Sequence, residues 1–350
     1  MTTRWIFALA VGVATLATGI VLAKITNFLP VLAVPESVDT PVTREQNLSG
    51  PFTHKNLTIY LVHGENRLDG KTPLILEEAM IRDIVIVHET GEVSELAIEN
   101  VSKTDEVFVQ AGDIVKGGKQ DRVLAVDLIV PARSGKIPID AFCVENGRWQ
   151  QRGGEKPTTF AVSTDMVASK DLKMAAKATR SQSEVWNKVA ETQSKLGAAM
   201  SANVNSAVSR SSLQLSLEHS SVRTSSGEYI EKLSKIIDNK PNVIGFVFAI
   251  NGKINSADTY ASSELFRKLW PKLLKAAAIE AVAESFATEN TSSVAAADVS
   301  TFLAATEAAS HAEDRTITDR IKMITRESAT AIFLETLDGG SWLHRNYILK

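Results

Sequence analysis

Short β-branched runs separated by turn residues fill the first half of the chain. The runs that predict strands are NLTIYLVH (56–63), DIVIVHE (83–89), SELAIEN (94–100), DEVFVQA (105–111), RVLAVDLIV (122–130) and KIPIDAFCV (136–144). The close spacing of the runs favours antiparallel pairing, because parallel crossovers need a dozen or more residues. One helix, LEEAMIR (76–82), interrupts the strands. This half is therefore predicted to be an antiparallel β-structure.

Helical periodicity takes over after residue 169. The predicted helices are one capped by Ser181 and Glu184, one around 229–237, one beginning at Ser262, and an alanine-rich one at about 294–310. Pro271 should kink or restart the third. Two strand signals remain, namely VIGFVFAI (243–250) before the hairpin dipeptide Asn251-Gly252, and a final hairpin around Asp338-Gly339-Gly340. The whole pattern predicts an α+β fold, with an antiparallel β-rich half packed with helices in a single globule.

The N-terminus carries an apolar run. Residues 5–23 contain no charge, and at 1.5 Å per residue such a helix would span about 28 Å, close to the hydrocarbon thickness of a bilayer. Arg4 favours an N-in orientation, which would place everything after Lys24 outside the cytoplasm. Small residues at 21–23 also offer a signal-peptidase site. Residues 1–23 are therefore expected to be a membrane anchor or a cleaved signal peptide. The domain would be membrane-anchored and extracytoplasmic, or secreted to the periplasm.

A proline-rich stretch follows the apolar run. Pro30, Pro35 and Pro41 stand among polar residues in the segment 24–50. Proline blocks helix continuation and removes a backbone donor, so the segment is predicted to be an extended linker. The α+β domain is then expected to occupy residues 51–350.

Composition and charge exclude several classes of function. Hydrophobic residues make up 44% and charged residues 23%, the balance of an ordinary folded protein. The net charge of −3 lacks the surplus of Lys and Arg that neutralises phosphates, so no nucleic-acid partner is expected. Cys143 is the single cysteine, which excludes an intrachain disulfide and CxxC zinc sites. The sequence indicates no metal, identifies no cofactor, and leaves any protein partner unknown.

The segment KGGKQDR (116–122) combines chemistry-bearing residues between two predicted strands. Its glycines would let backbone N–H groups approach an anion, while Lys116, Lys119 and Arg122 supply charge and Gln120 can orient polar groups. The spacing is not that of an NTPase phosphate loop. The structural alternative is a bulged turn with solvated basic side chains.

The segment CVENGRW (143–149) is the second candidate. Glu145 and Arg148 could pair, or they could flank a ligand whose flat part stacks on Trp149. The structural alternative is a strand end with an ion pair and a packed tryptophan. Cys143 itself alternates with apolar residues and is expected to be a small buried hydrophobe rather than a nucleophile.

The two segments are predicted to meet. If the strands 122–130 and 136–144 formed one long hairpin, Lys119 and Arg148 would reach the same edge and line a common anion-binding cleft. Both side chains are expected to be at least partly exposed.

Several pieces together resemble a bacterial family of unassigned function, named for its association with ADP-ribosylglycohydrolases and rhodanese-phosphatases. They are NLTIYLV, LEEAM, AGDIVKGGKQDR, CVENGRW, SQSEVW and the run from FAING to ELFRKLWPKLL, which cover residues 56 to about 280 in order. Asp113 stands where the family pattern has Glu. The resemblance implies a link to NAD or ADP-ribose metabolism, and it brings no catalytic residue.

Besides a hydrolase acting through Glu145 or Asp113, for which the sequence shows no recognisable catalytic constellation, two functions remain open at this point. The first is an extracytoplasmic domain that binds a phosphorylated small molecule, of an ADP-ribose-like kind, through Lys116, Lys119, Gln120, Arg122, Glu145, Arg148 and Trp149. The alternative is a structural or protein-interaction module of a bacterial envelope assembly. Whether the protein is an enzyme is not decided by the sequence.

Overall fold

The computed structural model describes residues 47–68, 70–285 and 293–350, which belong to one compact unit, Thr43–Lys350. The apolar run 5–23 lies outside the described residues, as does the linker segment up to residue 46. The first strand begins at Asn47, inside the stretch interpreted as linker. None of the helices that the structure describes is both long and apolar enough to cross a bilayer.

Seventeen strands and seven α-helices make up the described residues. The strands are β1 (Asn47–His54), β2 (Leu57–His63), β3 (Leu74–Ile75), β4 (Val85–Glu89), β5 (Glu95–Asn100), β6 (Val107–Val109), β7 (Asp113–Gly117), β8 (Arg122–Leu124), β9 (Leu128–Val130), β10 (Gly135–Cys143), β11 (Phe160–Val167), β12 (Val243–Ile250), β13 (Lys253–Tyr260), β14 (Ser310–Thr316), β15 (Ile321–Glu327), β16 (Ala331–Asp338) and β17 (Ser341–Leu349). The helices are α1 (Leu76–Ile81), α2 (Lys170–Lys173), α3 (Gln182–Met200), α4 (Leu213–Leu217), α5 (Ser220–Leu233), α6 (Ser263–Ala283) and α7 (Ala296–Glu307). A π-helical turn (Met174–Ala178) follows α2, and a 3₁₀ turn (Ser234–Ile237) follows α5.

An eight-stranded antiparallel sheet forms the centre, in the order β1-β2-β12-β13-β17-β16-β15-β14. Alternate residues of β2 and β12 point to opposite faces, as a period of two requires. One face, with Leu61 and Phe246, packs on α6 through side chains such as Trp270. The other, with Tyr60, Val62 and Val247, belongs to a separate core that includes Val299 and Leu303 of α7. Because both faces are covered, β12 is buried along its whole length.

Two smaller sheets carry the β-rich first half. One has six strands in the order β11-β7-β8-β10-β5-β4, and the other has three, β3-β6-β9, which include the parallel pair β3/β6. The predicted long hairpin is wrong in its outer half. Arg122 does pair with Cys143, but β9 pairs with β6 instead of β10. The chain leaves the ladder after Leu124 because Asp127 turns inward, where its Oδ1 accepts a hydrogen bond from Ala111 N at 2.7 Å.

Helix boundaries follow the predicted capping chemistry. Ser181 Oγ accepts a hydrogen bond from Glu184 N, and Ser262 Oγ accepts one from Leu265 N, each at 3.3 Å. Helix α6 continues through Pro271 rather than restarting there. The fold is α+β and rich in antiparallel strands, as the sequence predicted.

Candidate functional site

A cleft of about 800 Å³ lies between two loops, residues 146–153 and 208–211. Trp149 of the first loop and Val208 of the second line it, and their side chains are 52% and 73% exposed. Large exposed apolar side chains in a concave surface suit contact with the flat part of a small molecule. Arg210 lines the same cleft and is exposed.

The turn between β7 and β8 holds Arg148, another residue of the cleft. Gly117 and Gly118 have φ angles of 121° and 53°, and a Cβ on Gly118 would lie only 2.4 Å from Cζ of Phe160. Both restrictions require glycine. Arg148 donates hydrogen bonds to the carbonyl oxygens of Gly117 and Gly118, each at 3.3 Å. The structure therefore brings the two predicted segments, 116–122 and 143–149, into contact.

Behind the cleft, two carboxylates and two arginines form what we call the arginine–carboxylate cluster: Asp121, Glu145, Arg148 and Arg152. Arg152 holds both oxygens of Asp121, at 3.0 and 3.1 Å, and Oε1 of Glu145 at 3.1 Å. Arg148 Nε donates to Glu145 Oε2 at 2.6 Å. The carboxylates are fully buried, so the arginines supply the compensation that buried charges need.

In this cluster, the pKa of Asp121 is shifted from its ordinary value. Burial, together with the negative charge of Glu145, raises the pKa of Asp121, although Arg152 and the Gly117 N–H oppose the rise. Ser212 Oγ adds a contact to Asp121 Oδ2 at 3.3 Å. The ionised state of Asp121 therefore depends on Arg152 remaining in place.

Arg148 has no donor left for a ligand in this structure. Besides Glu145 and the two glycine carbonyls, it donates to the carbonyl oxygen of Gln150 at 2.7 Å and contacts Asp121 at 3.4 Å. These bonds use all five N–H groups of a guanidinium. Only 9% of the side chain is exposed. Arg148 thus shapes the cleft rather than offering free donors to it.

Two other predicted residues are buried away from the cleft. Arg122 is 1% exposed, donates to the carbonyl oxygen of Val93 at 2.7 Å, and contacts Cys143 Sγ and Glu89. Gln120 is fully buried, and neither atom of its amide has a partner among the residues that the structure describes. Both side chains contribute to the core.

The two predicted lysines do not line the cleft either. Lys116 Nζ lies 2.6 Å from Glu218. Lys119 is exposed, and its Nζ lies towards the turn at Gly91. Of the seven predicted residues, Arg148 and Trp149 line the cleft, Glu145 lies directly behind it, and Lys116, Lys119, Gln120 and Arg122 lie elsewhere.

Sequence reasoning missed Asp121, Arg152 and Arg210. Arg152 is visible as a second arginine four residues after Arg148, yet nothing in the sequence pairs it with Asp121, 31 residues earlier. Arg210 stands in a Ser-rich segment with no strand or helix signal. Within the described part of the chain, its guanidinium makes no hydrogen bond or ion pair, so it is a free cation at the cleft.

A second polar group, which we call the histidine centre, lies on the face of the eight-stranded sheet that carries Phe246. Its members are Asp127, Lys173, Lys177, Asp258 and His344, all buried. His344 Nδ1 lies 3.0 Å from Asp127 Oδ2, and Nε2 lies 3.0 Å from Asp258 Oδ1. Both ring nitrogens of His344 therefore face a carboxylate oxygen at hydrogen-bond distance.

Lysines complete the histidine centre. Lys177 Nζ lies 2.8 Å from Asp127, and Lys173 Nζ lies 3.2 Å from Asp258. Burial alone would raise the pKa of Asp258, but Lys173 and His344 outweigh it and lower that pKa to about 2. The same kind of compensation, from Lys177 and His344, holds the pKa of Asp127 well below its usual value. The carboxylates are therefore ionised at neutral pH.

The surroundings of the histidine centre fix its geometry. Tyr260 stacks on His344 with ring centroids 4.6 Å apart. Thr336 Oγ1 donates to Asp127 at 2.5 Å, and Asn346 Nδ2 donates to Asp258 at 2.8 Å. Sequence reasoning found none of these residues, because the pairs are separated by up to 217 positions.

The two groups differ in what they can do chemically. The cleft is open and combines an aromatic face with a free guanidinium, which suits an anionic ligand with a flat part. The histidine centre is closed to solvent. Within residues 47–68, 70–285 and 293–350, no group of three His, Cys, Asp or Glu side chains is placed to hold a metal ion.

Comparison with known proteins gives one match. A family model described as the ARG and Rhodanese-Phosphatase-superfamily-associated Protein domain (ARPP-1) matches residues 45–348. The match extends beyond the segment from 56 to about 280 in which the resemblance is visible by motif. No curated protein and no solved structure matches the chain.

Proposed function

Given that the chain belongs to the ARPP-1 domain family, whose function is not established, we propose that it binds a phosphorylated small molecule with a flat ring, of an ADP-ribose-like kind, in the cleft between residues 146–153 and 208–211. The observation that carries the proposal is that an exposed tryptophan and an unpaired arginine line one cleft.

Trp149 and Val208 support the ring-binding part of the proposal. They are two of five large apolar side chains exposed among the described residues, and both line this cleft. Water in contact with such surface is released when a flat ring covers it. Stacking of a ring on an aromatic side chain contributes about 1–3 kcal/mol when the stacked group is a nucleobase.

Arg210 supports the anion-binding part. The cleft is lined by three arginines and by no carboxylate. Arg148 and Arg152 are bonded to Asp121 and Glu145 behind the cleft, whereas Arg210 has no such partner in the described structure. A guanidinium with free donors can form two parallel bonds to a phosphate.

We also propose that this domain lies outside the cytoplasm, either anchored to the membrane or secreted to the periplasm. The uncharged run 5–23 with Arg4 before it supports the proposal. The cleft would then meet ligands of the extracytoplasmic space.

Titration calorimetry with matched ligands tests the binding proposal. The panel consists of ADP-ribose, AMP, adenosine and ribose 5-phosphate, so that ring and phosphate are varied separately. We expect the compounds with both groups to bind most tightly. Arg210→Ala should weaken binding of the phosphorylated compounds about tenfold or more, because charged hydrogen bonds contribute roughly 1.5–3 kcal/mol, and should leave adenosine almost unaffected. Trp149→Ala should weaken AMP and adenosine alike.

Arg82→Ala is the matched control, since Arg82 is an exposed arginine at the end of α1 and does not line the cleft. It should leave every affinity unchanged. If no compound binds, or if Arg210→Ala behaves as Arg82→Ala does, the ligand proposal is wrong. The exposed Trp149 and Val208 would then favour the protein-interaction module.

A further inference from the structure

Gln193 stands at a position of α3 where the helical pattern calls for an apolar residue. The other buried residues of this helix are Val185, Val189 and Leu196, and Gln193 follows Val189 by four positions. Residues three or four positions apart share a helix face, so Gln193 belongs to the buried stripe. Burial of an amide is unfavourable unless its hydrogen bonds are made, so the partners of Gln193 indicate what the residue does.

The side-chain amide of Gln193 holds the loop that carries Arg210. Its Nε2 donates to the carbonyl oxygen of Arg210 at 3.0 Å and to Oγ of Ser216, on α4, at 2.8 Å. The same nitrogen lies 3.2 Å from the carbonyl oxygen of Ser212, which also accepts a bond from the Ser216 hydroxyl at 3.2 Å. Gln193 therefore ties the backbone of the loop 208–211 to α3.

The next two residues of this loop are also anchored. Ser211 Oγ donates to the carbonyl oxygen of Asn146 at 2.5 Å, which joins the two loops of the cleft. Ser212 is the N-cap of α4, and its Oγ accepts a hydrogen bond from Arg152 at 3.1 Å. Three successive residues are thus held by α3, by the other loop and by the arginine–carboxylate cluster. The side chain of Arg210 stays exposed at the cleft.

We propose that Gln193 is a positioning residue that fixes Arg210 in the cleft, and that it thereby gives the cleft its preference for phosphorylated over unphosphorylated ligands. This proposal rests on the proposed binding function. Gln193 does not line the cleft, so it acts through Arg210 and not on the ligand.

A fixed backbone at Arg210 favours phosphate for two physical reasons. Two parallel bonds from a guanidinium to a phosphate require a defined orientation of the guanidinium plane. A side chain that is already restricted in the free protein loses less conformational entropy when it binds. Release of the loop from α3 should therefore weaken the contact with phosphate and leave the stacking on Trp149, which belongs to the other loop, almost unchanged.

Titration calorimetry of the full-length protein and of Gln193→Met, with AMP and with adenosine, tests the proposal. Methionine is unbranched and fits the apolar stripe, but its side chain has no N–H to donate. We expect Gln193→Met to weaken AMP binding about fivefold, the factor that corresponds to one net hydrogen bond, and to leave adenosine binding unchanged. In the Arg210→Ala background the same substitution should have no further effect on AMP, because Gln193 acts through Arg210.

Trypsin cleavage after Arg210 provides a second readout that needs no ligand. The protease requires local release of the loop, so Gln193→Met should raise the cleavage rate about fivefold. Gln182→Met is the matched control, because Gln182 is the other glutamine of α3 and its amide bonds the backbone of Cys143 at 2.8 Å. It should leave the cleavage rate after Arg210 unchanged. An unchanged rate in Gln193→Met, or an equal rise in both variants, overturns the proposal.

The two measurements distinguish failure of this proposal from failure of the binding function. If no compound binds to the unmodified protein, the binding function is wrong, and the cleavage rates still decide whether Gln193 holds the loop. If Gln193→Met weakens AMP and adenosine equally, Gln193 has only a structural role and the proposal is wrong. If Gln193→Met does not fold, NMR of the unmodified protein decides. Slow exchange of the Gln193 side-chain amide protons supports the proposal, and exchange as fast as in the exposed Gln150 overturns it.

Discussion

Removal of Arg152 is the most informative perturbation of the arginine–carboxylate cluster. Arg152→Met keeps much of the side-chain volume but deletes the two bonds to Asp121 and the bond to Glu145. Two fully buried carboxylates would then share Arg148 as their only cation within the cluster. Breaking a buried ion pair by removing one partner typically costs about 3–5 kcal/mol, so we expect a loss of that size in the free energy of unfolding.

An exposed ion pair provides the comparison. Arg180 Nη2 lies 3.3 Å from Glu313, and the two side chains are 42% and 44% exposed. Pairs of this kind contribute about 0.2–1 kcal/mol, so Arg180→Met should cost no more than that. Both variants replace one arginine of an ion pair by methionine, and they differ mainly in burial.

The loss caused by Arg152→Met should also depend on pH. Burial and Glu145 already raise the pKa of Asp121 above its ordinary value of 3.8, and loss of Arg152 removes the main opposing charge. A carboxyl group whose pKa is higher in the folded state than in the unfolded state does not destabilise the fold at a pH below the unfolded-state pKa. As the pH rises from there towards the folded-state pKa, the group lowers the free energy of unfolding progressively more. The free energy of unfolding of the variant should therefore be closest to that of the unmodified protein near pH 4 to 5, and it should be furthest below it at pH 8.

Urea unfolding followed by circular dichroism at both pH values measures these differences. Adding Asp121→Asn to Arg152→Met should restore part of the stability at pH 8, because the unpaired negative charge is gone. The reasoning fails if Arg152→Met costs no more than Arg180→Met at pH 8, or if its cost is greater at pH 5.

Two further predictions concern the thiol and the N-terminus. Cys143 is fully buried, and burial raises the pKa of its thiol to about 11. A thiol reagent should therefore modify Cys143 in urea but not in the folded protein, which mass spectrometry would measure. Rapid labelling of the folded chain would contradict a structural role. The full-length chain should remain with membranes after a carbonate wash, or be found in the periplasm with Lys24 as its first residue. A chain that begins at residue 45 should be soluble. Full-length protein recovered intact from the cytosol would contradict the extracytoplasmic location.

Local patterns in the sequence predicted most of the fold. Helix α3 and helix α6 begin where their serine caps stand, and the hairpin β16–β17 turns at Gly339 and Gly340, which both have positive φ. The predictions are wrong where a residue far away in the sequence determines the local conformation. The run 122–130 has the composition of one strand, yet Asp127 breaks it to reach His344 and Lys177. Strand β14 was not predicted because it is an exposed edge strand with almost no apolar residue.

The candidate site shows the same limit. The contact between the segments 116–122 and 143–149 was predictable because β8 and β10 are adjacent in the sheet and only the short strand β9 separates them in the sequence. Which of their side chains face solvent was not predictable, since Arg122 and Lys119 look equally basic in the sequence but one is buried and the other exposed. Arg210 lines the cleft because its loop, residues 208–211, lies beside residues 146–153, which are some 60 positions earlier in the sequence. No local pattern in the sequence predicts that contact.

The strand order of the central sheet has a consequence for biosynthesis. Strand β2 pairs with β12, so residues near 60 cannot find their partner strand until residues near 245 have been synthesised. Strand β13 pairs with β17, so it cannot find that partner until residues 341–349 have been synthesised. The sheet can close only when almost the whole polypeptide has left the ribosome, and contacts this distant in sequence form slowly. The central sheet therefore forms late in the synthesis of the chain, after its smaller neighbours can already have folded.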